Sequence, residues 1–299
     1  MIDRLMRKIE VTGNPSVAGL DPTYEMIPGS IREEMLEAYG KTPKAVAEMF
    51  IAFNKGLIDC LHDIVPAVKP QVAMYEKYGL EGLRAYMETT AYAKSKGMMV
   101  IGDVKRGDIA STAAAYAAHI DGTAIEGEFY DLWQVDAVTL NPYMGYDGIE
   151  PFIKPCAERD KGIFILVKTS NPSSADLQDI DAGGRPLYEK TAELVSNWGK
   201  LAMGEMGYSK VGAVVGATHK EQGQRLRKLM PETFFLVPGY GAQGGKGEDL
   251  RGFFDKDGKG CIVNSSRGII AAYKTAGGDF VKAAREAALE MREDIRGAL

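Results

Sequence analysis

Residues 98–116 read Met98-Met-Val-Ile101-Gly-Asp103-Val-Lys105-Arg-Gly-Asp108-Ile109-Ala-Ser-Thr112-Ala-Ala-Ala-Tyr116, an apolar strand that runs into alternating charges and then into a helix. Two residues apart in an extended chain, Asp103 and Lys105 face the same way near the strand's carboxyl end, and Asp108 falls just beyond it. Gly102 and Gly107 bracket the charges and let the backbone turn, while Thr112 starts an Ala-rich helical pattern. A lysine held between carboxylates stays protonated, because nearby negative charge favours its charged form, and such an ammonium can deliver a proton. A plain salt bridge would use the same letters. The placement, after an apolar strand and before a helix, is what points to catalysis.

Working outward, short apolar runs recur at 17–20, 64–68, 98–104, 135–140, 163–167, 211–215, 234–237 and 261–263. Between most of them lie segments with helical spacing, for example 45–61, 81–95, 188–206 and 221–229. Eight near-continuous apolar strands alternating with helices favour an α/β fold closed into a parallel (β/α)8 TIM barrel over an open sheet. The length of 299 residues suits such a barrel, and no linker divides the chain, so residues 1–299 read as a single domain.

In a barrel of this kind polar residues collect at the carboxyl ends of the strands. Asp21 follows the first strand and Lys69 the second. Asp103, Lys105 and Asp108 follow the third, Asn141 the fourth, Lys168 and Ser170 the fifth, and Thr218 the sixth. After the seventh comes Pro238-Gly-Tyr-Gly241-Ala-Gln243-Gly244-Gly245-Lys246-Gly247, too glycine-rich to be held by its own side chains and lid-like in composition. After the eighth, Asn264-Ser265-Ser266-Arg267-Gly268 opens a helix, where free backbone amides beside a guanidinium suit a phosphate.

Composition narrows the partners. With 45% hydrophobic and 26% charged residues and a net charge of −5, nothing suggests a nucleic-acid or anionic-membrane surface, so any phosphate needs a local site on a small molecule. Cys60, Cys156 and Cys261 are scattered, odd in number and outside any metal-binding spacing, which fits a reducing cytoplasm. Charges interrupt the amino-terminal stretch, and no apolar run approaches the roughly 20 residues that a spanning helix needs. His62, His119 and His219 read as ordinary surface or capping residues.

Assembled, these residues resemble the orotidine 5'-phosphate decarboxylase family, and more closely its longer, bacterial-type branch. The resemblance spans essentially the whole chain. It is carried by 103–112, by Ala67-Val-Lys69-Pro-Gln-Val-Ala-Met-Tyr-Glu76, by Asn141-Pro-Tyr-Met-Gly145, and by the 238–245 and 264–268 stretches. It implies decarboxylation of orotidine 5'-phosphate to uridine 5'-phosphate and CO2, without cofactor or metal. Lys105 is then the proton donor to C6, and Asp103 lies against the departing carboxylate. Lys69 and Asp108 complete an alternating charge network, with Asp21 and Lys69 at the ribose hydroxyls. Ser170 faces the pyrimidine, and Gln243, Arg267 and the adjacent Gly268 take the phosphate. The resemblance also implies a homodimer with shared active sites, in which Asp108, Ile109 and Thr112 approach the partner's pocket.

Two stretches resemble longer-branch insertions, 22–42 after the first strand and 170–187 after the fifth. In the second, Ser173 and Ser174 compete with Ser170 for the pyrimidine-side role. Magnesium-dependent sugar-phosphate decarboxylases and aldolases of the same superfamily share the Asp-x-Lys-x-x-Asp strand, but they place an acidic ligand where Lys69 stands here. A phosphate-binding barrel without turnover would have little reason to gather four charges that are costly to bury.

Overall fold

The computed structural model describes residues 1–241 and 244–299. Its strands are β1 (Ser16–Leu20), β2 (Ala67–Pro70), β3 (Met99–Arg106), β4 (Thr123–Ile125), β5 (Glu128–Tyr130), β6 (Ala137–Leu140), β7 (Gly162–Lys168), β8 (Ser209–Val215), β9 (Thr233–Pro238) and β10 (Cys261–Ser265). Each of the eight apolar runs contributes one barrel strand. These eight pair in parallel in the order β1-β10-β9-β8-β7-β6-β3-β2 and close on themselves. Closure and the surrounding helices bury both faces, which is why the strands read as continuous apolar runs rather than alternating ones. The remaining two, β4 and β5, form an antiparallel hairpin outside the barrel.

Alternation along each strand divides the core in two. Val17, Ala67, Met99, Ile101, Ala137, Phe164 and Ile262 fill the barrel with Ile2, Leu5 and Met6 of the first helix, Ile2–Thr12. That helix closes the amino-terminal mouth, where Arg4 bridges Asp136 at 3.1 Å and Asp160 at 2.7 Å. A larger shell, including Val68, Val100, Val138, Ile165 and Val263, packs the strands against the outer helices. The opposite mouth is left to polar side chains.

Local chemistry sets the helix ends. Thr42 caps the helix Pro43–Leu61 by accepting from the Ala45 amide at 3.2 Å, and Pro43 stands at its first position. The helical pattern read over 188–206 stops at Gly199, in the helix Leu187–Gly199. Here Ser209 Oγ donates to the Gly199 carbonyl at 2.8 Å, and a Cβ at 199 would meet the Ser209 hydroxyl at 2.9 Å, so glycine lets the helix end pack closely on the start of β8.

Both stretches that resemble insertions contain regular structure. Residues 22–42 contain the helix Gly29–Tyr39. Residues 170–187 contain the short helix Ala175–Gln178 and a bridge between Asp181 and Pro186.

Candidate active site

At the carboxyl ends of the strands lies a cavity of about 610 Å³. Asp21, Lys69, Asp103 and Lys105 line one side, and Pro238, Tyr240, Asn264, Ser266 and Arg267 line the other. Ser170 and Asn171 reach it from the loop after β7.

Asp103 stands where the inward face of β3 changes from apolar to charged. Met99 and Ile101 fill the barrel below it. Its Oδ2 accepts from Lys69 Nζ at 2.7 Å and its Oδ1 from Lys105 Nζ at 2.5 Å. Thr139 Oγ1, from β6, donates to Oδ1 at 2.9 Å. Burial opposes ionisation of Asp103, but the two ammoniums overcome it and hold the carboxyl well below the usual carboxylate range. Burial likewise opposes the charged form of Lys69, and Asp103 with Asp21, whose Oδ1 lies 4.0 Å away, reverses that and raises its pKa.

The two lysines differ in access. The Lys69 side chain is 5% exposed and that of Lys105 is 46% exposed, so only the Lys105 amine opens broadly onto the cavity. The Lys105 backbone is left-handed, with φ of 45°, at a register shift between β3 and β6. Such a conformation costs a non-glycine residue on the order of 1–3 kcal/mol. Thr139 Oγ1 supports the kink by accepting the Val104 and Lys105 amides at 3.0 Å each.

Asp108, Ile109 and Thr112 do not line this cavity. The Asp108 carboxylate accepts the Ile109 amide at 2.8 Å, just before the helix Ala110–Asp121. Ile109 is 49% exposed and Thr112 is also exposed. Nearby, a Cβ at Gly148 would meet the Asp108 carbonyl at 2.8 Å, and this neighbouring 142–148 turn carries exposed Tyr143 and Met144.

Of the serines after β7, Ser170 lines the cavity, whereas Ser174 is buried with its hydroxyl 3.5 Å from His219 Nε2. Lys168 and Thr218 stand outside the cavity wall. A pairing irregularity between Leu166 and Lys168 breaks the alternation of β7. Lys168 is buried, donates to Asp179 at 2.6 Å and lies over the Tyr188 ring. Thr218 holds the Ser170 carbonyl at 3.1 Å. Asn141 accepts the Tyr143 amide at 3.0 Å and stays out of the cavity.

At the end of β10, Arg267 begins a short helix, Arg267–Ile270, whose first amides face no intrahelical acceptor. Ser266 reaches the wall because Gly19 leaves room; a Cβ there would meet Ser266 Oγ at 1.9 Å. Gly268 borders an adjacent groove rather than the main cavity. Gln243 lies outside the described residues.

Thr139 was hidden in the sequence because a β-branched residue inside an apolar strand reads as packing. Thr169 and Asn171, also on the cavity wall, were hidden beside Ser170. His119 is a correction, since it is 5% exposed and stacked 4.3 Å from the Trp133 ring, not at the surface.

A sequence model of the Orotidine 5'-phosphate decarboxylase / HUMPS family matches residues 52–286. That span holds Lys69, Asp103, Lys105, Asp108 and Arg267. The chain belongs to this family. Full-length orotidine 5'-phosphate decarboxylases resemble it closely: the Caldicellulosiruptor saccharolyticus protein is 42% identical over 99% of this chain and 98% of its own. The Clostridium kluyveri orotidine 5'-phosphate decarboxylase is 44% identical over 99% and 97%. The solved structure of Leishmania donovani OMP decarboxylase superposes with a TM-score of 0.76 at 32% identity, covering 99% of this chain and 98% of that one. Near-complete coverage in both directions places the whole chain inside the orotidine 5'-phosphate decarboxylase family.

Proposed function

We propose that this chain decarboxylates orotidine 5'-phosphate to uridine 5'-phosphate and CO2 in cytoplasmic pyrimidine biosynthesis, with Lys105 as the proton donor. The observation that carries the mechanism is one buried carboxylate, Asp103, shared by two ammoniums on the cavity wall, of which Lys105 is by far the more exposed. The C6–carboxylate bond breaks, its electron pair stays on C6, and Lys105 delivers the proton that completes the product. Solvent then reprotonates the neutral amine.

The pyrimidine ring offers that electron pair no carbonyl or imine sink, so electrostatics must stabilise it. An ammonium about 4 Å from the developing charge contributes on the order of 4 kcal/mol at an effective dielectric of 20. Lys105 alone is therefore insufficient. Phosphate binding at Arg267 and the 238–247 loop supplies the positioning, and Asp21 and Lys69 hold the ribose. Asp103 lies against the reacting carboxylate, and Ser170 faces the ring.

A divalent cation between Asp21 and Asp103 would have to displace Lys69, 4.0 Å from one carboxylate and 2.7 Å from the other. This favours cofactor-independent chemistry. Asp108, Ile109 and Thr112 turn away from their own cavity beside exposed Tyr143 and Met144, which supports a homodimer whose subunits complete each other's sites.

Purified protein should consume orotidine 5'-phosphate in an ultraviolet assay and yield uridine 5'-phosphate equally well in EDTA. Activity lost on chelation and restored by magnesium would overturn the assignment.

A further inference from the structure

The candidate phosphate loop after β9 is fastened at both ends to one side chain 47 residues or more further along the chain. Tyr240, on the cavity wall, donates its hydroxyl to Asp294 Oδ2 at 2.6 Å. Gly247, at the loop's far end, donates its amide to the same oxygen at 2.8 Å. Asp294 belongs to the last helix, Phe280–Ala298, and lines no part of the cavity.

Two further observations show that this approach is built in. A Cβ at Gly247 would stand 2.4 Å from the Asp294 carbonyl oxygen, so only glycine brings the loop this close to the helix. The following residues are fixed as well, because the Lys246 amide donates to Asp249 Oδ2 at 3.3 Å and Lys220 pairs with Asp249 at 3.2 Å. Gly239 and Gly241 flank Tyr240 with φ of 103° and 70°, and backbone bonds from Gly241 to the Gly245 carbonyl at 2.8 Å and from Gly245 to the Gly239 carbonyl at 3.2 Å fold the near end on itself. The Tyr240 hydroxyl is that end's side-chain tie to the last helix.

We propose that Asp294 is a positioning residue for phosphate binding: it holds Tyr240 at the near end and Gly247 at the far end, and so places Tyr240 on the same cavity wall as Arg267. The proposal rests on the reading of the cavity as a nucleotide 5'-phosphate site. A carboxylate suits the task because one oxygen can accept two donors, and charge-assisted hydrogen bonds are roughly twice as strong as neutral ones. Losing them loosens the loop without touching the Lys69, Asp103 and Lys105 cluster on the other side of the cavity.

The test compares uridine 5'-phosphate with uridine, which lacks the phosphate, as ligands of the unaltered protein, Asp294→Ala, Asp294→Asn and Tyr240→Phe. Asp294→Ala should weaken uridine 5'-phosphate binding about tenfold or more, as expected for losing one or two charged hydrogen bonds, and leave uridine binding unchanged. Asp294→Asn, which keeps an acceptor oxygen, should recover part of the loss. Tyr240→Phe, which removes one hydroxyl without opening a cavity, should show an intermediate loss and guards against a folding defect in the alanine variant. Unchanged uridine 5'-phosphate affinity in all three variants, or equal losses for both ligands, would overturn the proposal. Turnover of orotidine 5'-phosphate by the unaltered protein reports separately on the decarboxylase reading. Binding of uridine 5'-phosphate without turnover would sink that reading alone, and failure of the unaltered protein to bind it would sink both.

Discussion

Thr139 and Asp103 are joined across neighbouring strands: the threonine hydroxyl donates to Asp103 Oδ1 at 2.9 Å and accepts the amides of Val104 and Lys105. One buried hydroxyl thus orients the shared carboxylate and supports the left-handed turn that aims Lys105 into the cavity. Thr139→Val keeps the shape but leaves two amides and a carboxylate oxygen short of a partner. Stability should fall by about 1–3 kcal/mol, and kcat should fall by at least tenfold with KM little changed. Thr139→Ser should retain most of the activity. Equal kcat in the valine and unaltered proteins would remove Thr139 from the account.

His119 makes stability depend on pH near neutrality. Burial is the main cause and Arg106 adds to it, so the imidazole pKa drops from the ordinary 6.5 to about 4. A histidine whose folded pKa is depressed stays neutral in the fold while the unfolded chain takes up a proton. Stability is therefore lost as pH falls from the unfolded value towards the folded one. Between pH 7 and pH 5 this amounts to about 2 kcal/mol from this residue. Urea unfolding followed by tryptophan fluorescence should show that loss in the unaltered protein and a flatter profile in His119→Gln. Parallel profiles would assign the pH dependence to other groups.

Asp103 behaves differently. Its carboxyl is held below the usual range despite burial, by Lys69 and Lys105, so its contribution is fully present above the unfolded carboxylate pKa of about 3.9 and is lost only as pH falls further. The kcat profile should accordingly show no acid limb from Asp103 above about pH 4. An acid limb near pH 5 or 6 that disappears in Asp103→Asn protein with residual activity would contradict this.

Arg267→Ala removes the guanidinium proposed to bind phosphate and should lower kcat/KM by about ten- to a hundredfold, the range expected for a lost charged hydrogen bond. If phosphate binding drives loop positioning, kcat should fall along with the rise in KM. A rise in KM alone would mean that the phosphate only anchors.

Mixing inactive Lys105→Ala protein with inactive Asp108→Ala protein should restore activity once subunits exchange. In a mixed dimer one shared site carries both lesions and the other carries neither, so up to half the sites in each heterodimer recover. If subunit exchange is verified and activity stays at the level of the parents, Asp108 serves its own chain.

The barrel was legible because its strands are buried on both faces, which leaves unmistakable apolar runs such as 211–215 and 261–263. The charged cluster was legible for a related reason: Asp103 continues the inward face of Met99 and Ile101, and charge at the end of such a run is conspicuous. Residues whose role depends on distant partners were not legible. Thr139 matters through a neighbouring strand, and Asp294 through a loop that ends 47 residues before it. Lys168 looked like a mouth residue until a pairing irregularity turned it out of the barrel. His119 gave no sign in sequence of its burial against Trp133.

The most direct test of the central claim compares orotidine 5'-phosphate turnover by the unaltered protein and by Lys105→Ala, with uridine 5'-phosphate binding measured on both. Removing the only broadly accessible ammonium of the cluster should cut kcat by at least about 10⁴-fold, as expected when proton donation and electrostatic stabilisation are lost together. Folding and product binding should persist. Turnover by the Lys105→Ala protein within tenfold of the unaltered rate would show that the proton comes from elsewhere and contradict the account.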